Sequence, residues 1–191
     1  MPIKNLSYNK LEPLINDNLS TEEDLPTAAL IKKLRSSKKR GWLTKDEMIE
    51  ICRWKSPRAV RYIEANSKAT IKKHTASAFA TRSEDIKIQE LTKLKGVSIP
   101  MASSILMLTN PKRYGVIDIR VWEVMLEIGT VNTNPKGVNF NFKEWYRYLV
   151  IIRHFAYKFK VSARDIERTL FIVHQNNQDG QLYRNLTKAK K

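Results

Sequence analysis

One cysteine, Cys52, in 191 residues leaves no intrachain disulfide and no four-cysteine zinc site to consider, so the chain asks for no oxidising compartment. Histidine is almost as scarce. His74, His154 and His174 are far apart, form no HxH or HxxxH pair and have no carboxylates at ligand spacing beside them, so no catalytic metal is expected. A Ser-His-Asp elbow, a Walker loop, a GxGxxG turn and an internal repeat are absent as well. No apolar run is long enough to suggest a membrane, and the stretch MPIKNLSYNKLEPLIND lacks the apolar core of a signal peptide, which points to an intracellular, cytoplasmic protein. Acidic residues are in deficit: 19 Asp and Glu stand against 35 Lys and Arg, a formal charge of +16. Such an excess seeks a polyanion, and with no membrane segment that polyanion is expected to be nucleic acid.

What is present is a helical pattern. A hydrophobic fraction of 42% over this length supports one domain, residues 1–191, with a sizeable core. Leu6, Leu11, Leu14 and Ile15 outline a short helix limited by Pro13. The acidic start Thr21 to Asp24 opens a helix with Leu30, Ile31 and Leu34 on one stripe, ending in the cationic run Arg35 to Arg40, which is either a solvated helix end or a phosphate contact. Thr44 to Glu47 reads as a capping box. Two helices then join near Trp54, Lys55 and Arg58, with Ser56 as cap and Pro57 in the first turn. An aromatic between cations suits stacking on a base, and a tryptophan at a helix joint suits a core equally. Asn66 precedes another helix, as its cap. Gly129 to Asn141 is a polar surface loop that could touch DNA. Phe142 to Phe159 is a long amphipathic helix, and Ser162 to His174 is the last clear one before a flexible tail from about residue 185 to 191.

The run from Glu84 to Ile128 carries most of the functional signal. Ile88, Leu91 and Leu94 mark a helix that stops at Gly96, a residue suited to a left-handed cap. Ser98 can cap a second helix with Pro100 in its first turn, and Asn110-Pro111 ends it. The tight connection, within a helix-hairpin-helix of about residues 84–109, gathers backbone amides from Lys95 to Pro100 where a phosphate could approach. It could equally be an ordinary αα-hairpin. Tyr114 to Ile117 then crosses over, and Asp118 opens a third helix carrying Val121, Trp122, Met125 and Leu126. Asp118 is either a plain cap or a carboxylate aimed at a nucleotide held by the hairpin.

Leu-x-Gly-Val-x-x-x-x-Ala at Leu94 to Ala102, Pro111, and Val-Ile-Asp-x-x-Val at Val116 to Val121 resemble the helix-hairpin-helix DNA glycosylase superfamily, nearest its 8-oxoguanine branch. The resemblance implies an all-α, two-lobed fold acting as a monomer on double-stranded DNA, with Asp118 catalytic. It implies a phosphate site at Gly96, Val97 and Ser98, a phosphate clamp at Arg120, and added grip from Lys93, Lys95, Lys112 and Arg113. Trp54, Arg58, Asn66 and Trp122 become candidates for the base pocket or for the side chain that replaces the extruded base, Trp122 being core in the alternative. No cofactor is implied beyond a monovalent cation that hairpin carbonyls hold in some members. Two positions depart from the family pattern: Ser98 stands at a usual glycine, and Pro100 stands where bifunctional members carry a Schiff-base lysine. The single cysteine also excludes the iron–sulfur cluster of some relatives. The implied activity is therefore a monofunctional glycosylase for a damaged or modified base, with glucosylated hydroxymethylcytosine of phage DNA, and a role in antiviral defence, as a further possibility from similar bacterial antiphage enzymes. Cutting the glycosidic bond builds positive charge on the sugar, which a fixed carboxylate can stabilise. The alternatives are a non-catalytic helix-hairpin-helix DNA-binding module, in which Asp118 only caps, and a basic RNA-binding protein.

Overall fold

The computed structural model describes Ile3 and residues 6–178, and the tail expected from about residue 185 lies outside the described residues. Among the described residues the chain is all-α: α1 (Leu11–Asn18), α2 (Leu25–Arg40), α3 (Lys45–Lys55), a 3-10 turn (Pro57–Ala59), α4 (Val60–Glu64), α5 (Lys68–Ala80), α6 (Glu84–Thr92), α7 (Ile99–Thr109), α8 (Ile119–Glu127), α9 (Phe142–Phe159) and α10 (Ala163–Asn177). No described helix is long and apolar enough to cross a membrane.

Local signals explain most boundaries. Asp24 caps α2 through Thr27 N, and Gly41, at φ 84°, ends it. Thr44 with Glu47, Asn141 with Glu144 and Ser162 with Asp165 form reciprocal capping boxes on α3, α9 and α10. The joint after α3 differs from the expectation. Ser56 makes no side-chain cap, and a 3-10 turn with Pro57 at its start intervenes before α4. Asn66 is not a cap either, since Ser67 accepts the Thr70 N–H at the start of α5.

The centre of the fold is α7. Every residue from Met101 to Leu108 is buried, so the helix has no solvent face along that length and takes its partners from several sides. It packs on α2, α3 and α6, while α10 packs on α1, α8 and α9. The segment between α7 and α8 is fixed from both directions. Ser103 Oγ on α7 accepts the Ile117 N–H at 3.1 Å, and Tyr148 Oη on α9 donates to the Val116 carbonyl at 3.0 Å. A Cβ on Gly115 would lie 2.6 Å from both Glu167 Cβ and Tyr148 Oη, so only glycine permits this approach. Asp118 follows directly, which fixes where its carboxylate can point.

Candidate functional site

Asp118 ends this pinned segment and begins α8. Its Oδ1 accepts the amides of Arg120 at 3.0 Å and Val121 at 3.2 Å, as an N-cap does. Its Oδ2 is left for another partner and faces Lys55 Nζ at 3.4 Å. Both side chains remain 20% exposed, so the pair is open to a ligand. Lys55 is the last residue of α3, where Ser56 and Pro57 break the helix and release the lysine from the core.

Lys55 and Asp118 form a partition between two cavities. On one side a space of about 460 Å³ is lined by the hairpin residues Gly96, Ser98, Ile99 and Pro100, by Ser56 and Arg58, and by Gly137 to Phe140 from the loop after α8. On the other a space of about 450 Å³ is lined by Asp24, Thr27, Trp54, Arg120, Phe171 and Gln175. The residues expected to share one site are therefore divided: Arg58, Gly96 and Ser98 open on the first cavity, Trp54 and Arg120 on the second, and Asp118 on both. Arg120 lies over the Phe171 ring, 5.1 Å from its centroid, and Trp54 Nε1 donates to Thr27 Oγ1 at 2.8 Å.

The floor of the second cavity is an ionic network. Arg164 donates to both carboxylate oxygens of Glu23 and to Glu167. Burial alone would weaken the guanidinium's hold on its proton, but Glu167 and Glu23 more than offset this and keep Arg164 charged. Burial pushes the Glu167 carboxyl up, against the pull of Arg164. Nothing in the sequence pattern pairs these residues, and they were not among the expected site residues.

The hairpin leaves fewer free backbone donors than the sequence suggested. The Lys95 N–H is taken by Asn66 Oδ1 at 2.9 Å and the Val97 N–H by the Leu94 carbonyl at 3.1 Å, while Pro100 has none. The expected Ser98 cap is missing: no side-chain bond closes the start of α7, whose first residues Ser98 and Ile99 line the cavity beside Asp118. Gly96 has φ +82° as expected, but its absent side chain serves packing. A Cβ there would lie 2.7 Å from Tyr62 Cβ on α4, which places that direction inward and not toward a ligand. Val97 is buried and supports the turn from beneath.

Asn66 is 5% exposed and staples this hairpin to α4, its Nδ2 lying within 3.0 to 3.1 Å of the carbonyls of Tyr62, Ile63 and Lys95. It has no freedom to enter DNA, which corrects the expectation for it. Trp122 is fully buried and is core. Lys93 and Lys95 are exposed on the hairpin, and Lys93 pairs with Glu90. Lys112 and Arg113 stand past the far end of α7, roughly 16 Å along the axis from the hairpin, where Arg113 faces Glu84 at 3.6 Å. Among the described residues no group of three or more His, Cys, Asp and Glu could hold a metal ion.

Lys55 was read in the sequence only as a cation beside Trp54; its pairing with Asp118 was not readable there, because the two lie 63 residues apart. The loop from Gly137 to Phe140 is the second addition to the site. No protein-family model, no curated protein and no solved structure matches this chain.

Proposed function

We propose that this protein is a DNA glycosylase that holds duplex DNA at the α6–α7 hairpin, extrudes a damaged or modified base and cleaves its N-glycosidic bond at Asp118, leaving an abasic site. One juxtaposition carries the reading: the open amide edge at Ser98 and Ile99 and the carboxylate of Asp118 line the same cavity, with Lys55 and Arg58 beside them. A phosphate on that edge brings the sugar of a neighbouring nucleotide toward Asp118 Oδ2. As the bond to the base lengthens, the carboxylate stabilises the cationic sugar; water then adds to C1′ and gives up a proton, while the base leaves with the glycosidic electrons. The net charge of +16 supplies sequence-independent affinity. The enzyme acts as a monomer in a two-lobed helix-hairpin-helix glycosylase-like arrangement, without lyase chemistry, because Pro100 brings no amine to the hairpin. Its substrates include hypermodified cytosine of phage DNA, with antiviral defence as the role.

The test is alkali-dependent strand breakage in duplexes carrying oxidised, alkylated or deaminated bases and in glucosylated phage DNA, with Asp118→Asn as control. Breaks that vanish in the variant support the reading and name the base. The second reading, a DNA-binding module without catalysis, is favoured by the two ordinary cap bonds at Asp118 Oδ1. It becomes the better one where both proteins bind DNA equally and neither makes abasic sites.

A further inference from the structure

Another cavity stands apart from Asp118, at the end of α7 remote from the hairpin, and holds about 520 Å³, the size of a small-molecule site. The ends of α2, α5 and α7 meet there, at Lys38, Ala80 and Thr109. Lys87 of α6 lines it from within. This lysine is 9% exposed, and its ammonium donates to the carbonyls of Ala78, at 3.2 Å, and Thr81. An ammonium has three protons to donate, so one is left over. Among the described residues Lys87 forms no ion pair with a carboxylate. A lysine buried to this degree is ordinarily paired with an opposite charge.

The rest of the wall shows what would pair with it. Lys38, Arg82 and Arg113 line the same cavity, and among the described residues no aspartate or glutamate does, whereas both cavities at Asp118 carry a carboxylate. Glu84, which acts on Lys87 from one turn back on α6, is already shared: Tyr114 donates to one oxygen, and Arg153 and Arg113 reach the other at 2.8 and 3.6 Å. Three helix C-termini carry roughly half a negative charge each, so the four lining cations exceed these and Glu84 by roughly one to two charges. A phosphate monoester, at about −1.5 to −2 near neutral pH, matches that excess. Burial weakens the hold of Lys87 on its proton; Glu84 opposes this, Arg113 and Arg153 reinforce it, and a bound anion would restore the hold. The cavity is also larger and less polar than a phosphate needs, with Phe79, Leu106 and Tyr114 in its walls. Beside them the Asn110 side chain makes no hydrogen bond among the described residues, so its amide offers a donor and an acceptor together. Such an amide pairs with the edge of a base, as an aromatic ring does with its face.

We propose that this cavity is a second ligand site, which binds a nucleoside monophosphate, free or as the phosphorylated end of a strand. The phosphate lies on Lys87, Arg82 and Arg113, and the base between Phe79 and Asn110. The site stands or falls independently of the glycosylase reading. Calorimetry on the full chain would use deoxynucleoside 5′-monophosphates, the matching nucleosides, inorganic phosphate, and a trinucleotide with and without a 5′-phosphate. At least one monophosphate or the phosphorylated trinucleotide is expected to bind at least about tenfold tighter than its unphosphorylated form and than phosphate alone, because both halves of the cavity are then filled. Which of the two binds tells a free nucleotide from a strand end. Lys87→Met and Arg82→Gln are each expected to weaken binding about tenfold, the worth of a charge-assisted hydrogen bond, and Asn110→Ala to reduce discrimination among the bases. Arg82 is exposed and forms no ion pair among the described residues, so Arg82→Gln keeps the fold even where Lys87→Met does not. Asp118→Asn, on the other cavities, is expected to leave affinity within about twofold, beyond reach of a charge this far along α7. Absence of binding below about 1 mM overturns the proposal, as does phosphate alone binding as tightly. Affinity that changes with Asp118→Asn and ignores Arg82→Gln overturns it as well, by moving the nucleotide to the cavities at Asp118.

Discussion

Lys55 Nζ and Asp118 Oδ2 meet at 3.4 Å across 63 residues of chain, while Asp118 Oδ1 is committed to two backbone amides of α8. One carboxylate thus divides its oxygens between building a helix and facing a cavity. The two tasks can be separated by substitution, because they depend on different atoms.

Asparagine caps a helix about as well as aspartate, so Asp118→Asn is expected to unfold within about 0.5 kcal/mol of wild type, whereas Asp118→Ala loses the cap and about 1 kcal/mol. Abasic-site formation is expected to fall by roughly two to three orders of magnitude in both, as removal of a charge-stabilising group does. Urea melts beside single-turnover assays check this. Activity that follows stability across the two variants would reduce Asp118 to its cap.

Lys55 is the positive neighbour of that carboxylate, and its loss should move binding and chemistry together. Lys55→Met is expected to lower the slope of log affinity against log salt by about one, the signature of a single lost phosphate contact. Excision should slow about tenfold, because Oδ2 loses the group that orients it. In the monofunctional reading, borohydride added during turnover traps no protein–DNA adduct. An adduct present in wild type and missing in Lys55→Met would show instead that this amine attacks the sugar and that the enzyme is a lyase.

Ser98 offers a sharper separation of fold from function. It occupies the N-cap of α7 without bonding to it, so Ser98→Asp is expected to add the missing cap and stabilise the protein by up to about 1 kcal/mol. The same carboxylate would occupy the edge proposed to hold a phosphate, and DNA affinity is expected to drop at least tenfold at low salt. Higher stability with unchanged DNA binding would mean that phosphate does not sit at this turn.

These residues show where a sequence is legible. Thr44 with Glu47 announces a helix start because the groups that bond are three residues apart, and α9 runs from Phe142 to Phe159 as its apolar spacing requires. Asp118 and Gly96 were legible for the same local reason, one as a helix opener and one as a left-handed turn. The pairing of Lys55 with Asp118 was not, nor was the Asn66 staple, because each is defined by a partner on a distant element. Lys112 and Arg113 stand the length of α7 away from the hairpin, a separation that their number in the chain does not by itself give. Ser98 shows the limit of residue type as a signal, since Ser67 and Ser83 cap α5 and α6 without a reciprocal side chain whereas Ser98 leaves α7 uncapped.

The packing that holds α6 against α9 has its own titration. Tyr114 is 4% exposed and donates to Glu84 Oε2 at 3.0 Å, and Arg153 reaches the other oxygen of that carboxylate at 2.8 Å. Burial, aided by the Glu84 charge, pushes the Tyr114 hydroxyl up to about 12. A phenol in the unfolded chain titrates near 10, so the folded state favours the protonated form. Its contribution is complete below pH 10 and is lost as pH rises from about 10 toward 12, by about 2–3 kcal/mol at most. Phenylalanine keeps the ring and does not titrate. Wild type is therefore expected to exceed Tyr114→Phe by about 1 kcal/mol at pH 8, the net worth of one hydrogen bond, and to lose that margin and fall below the variant at about pH 11, well before the pH reaches 12. Paired urea melts between pH 8 and 12 measure the margin directly and cancel the many lysines and other tyrosines that titrate in both proteins. A margin that stays constant over that range would mean that the Tyr114 hydroxyl keeps its ordinary acidity in the fold.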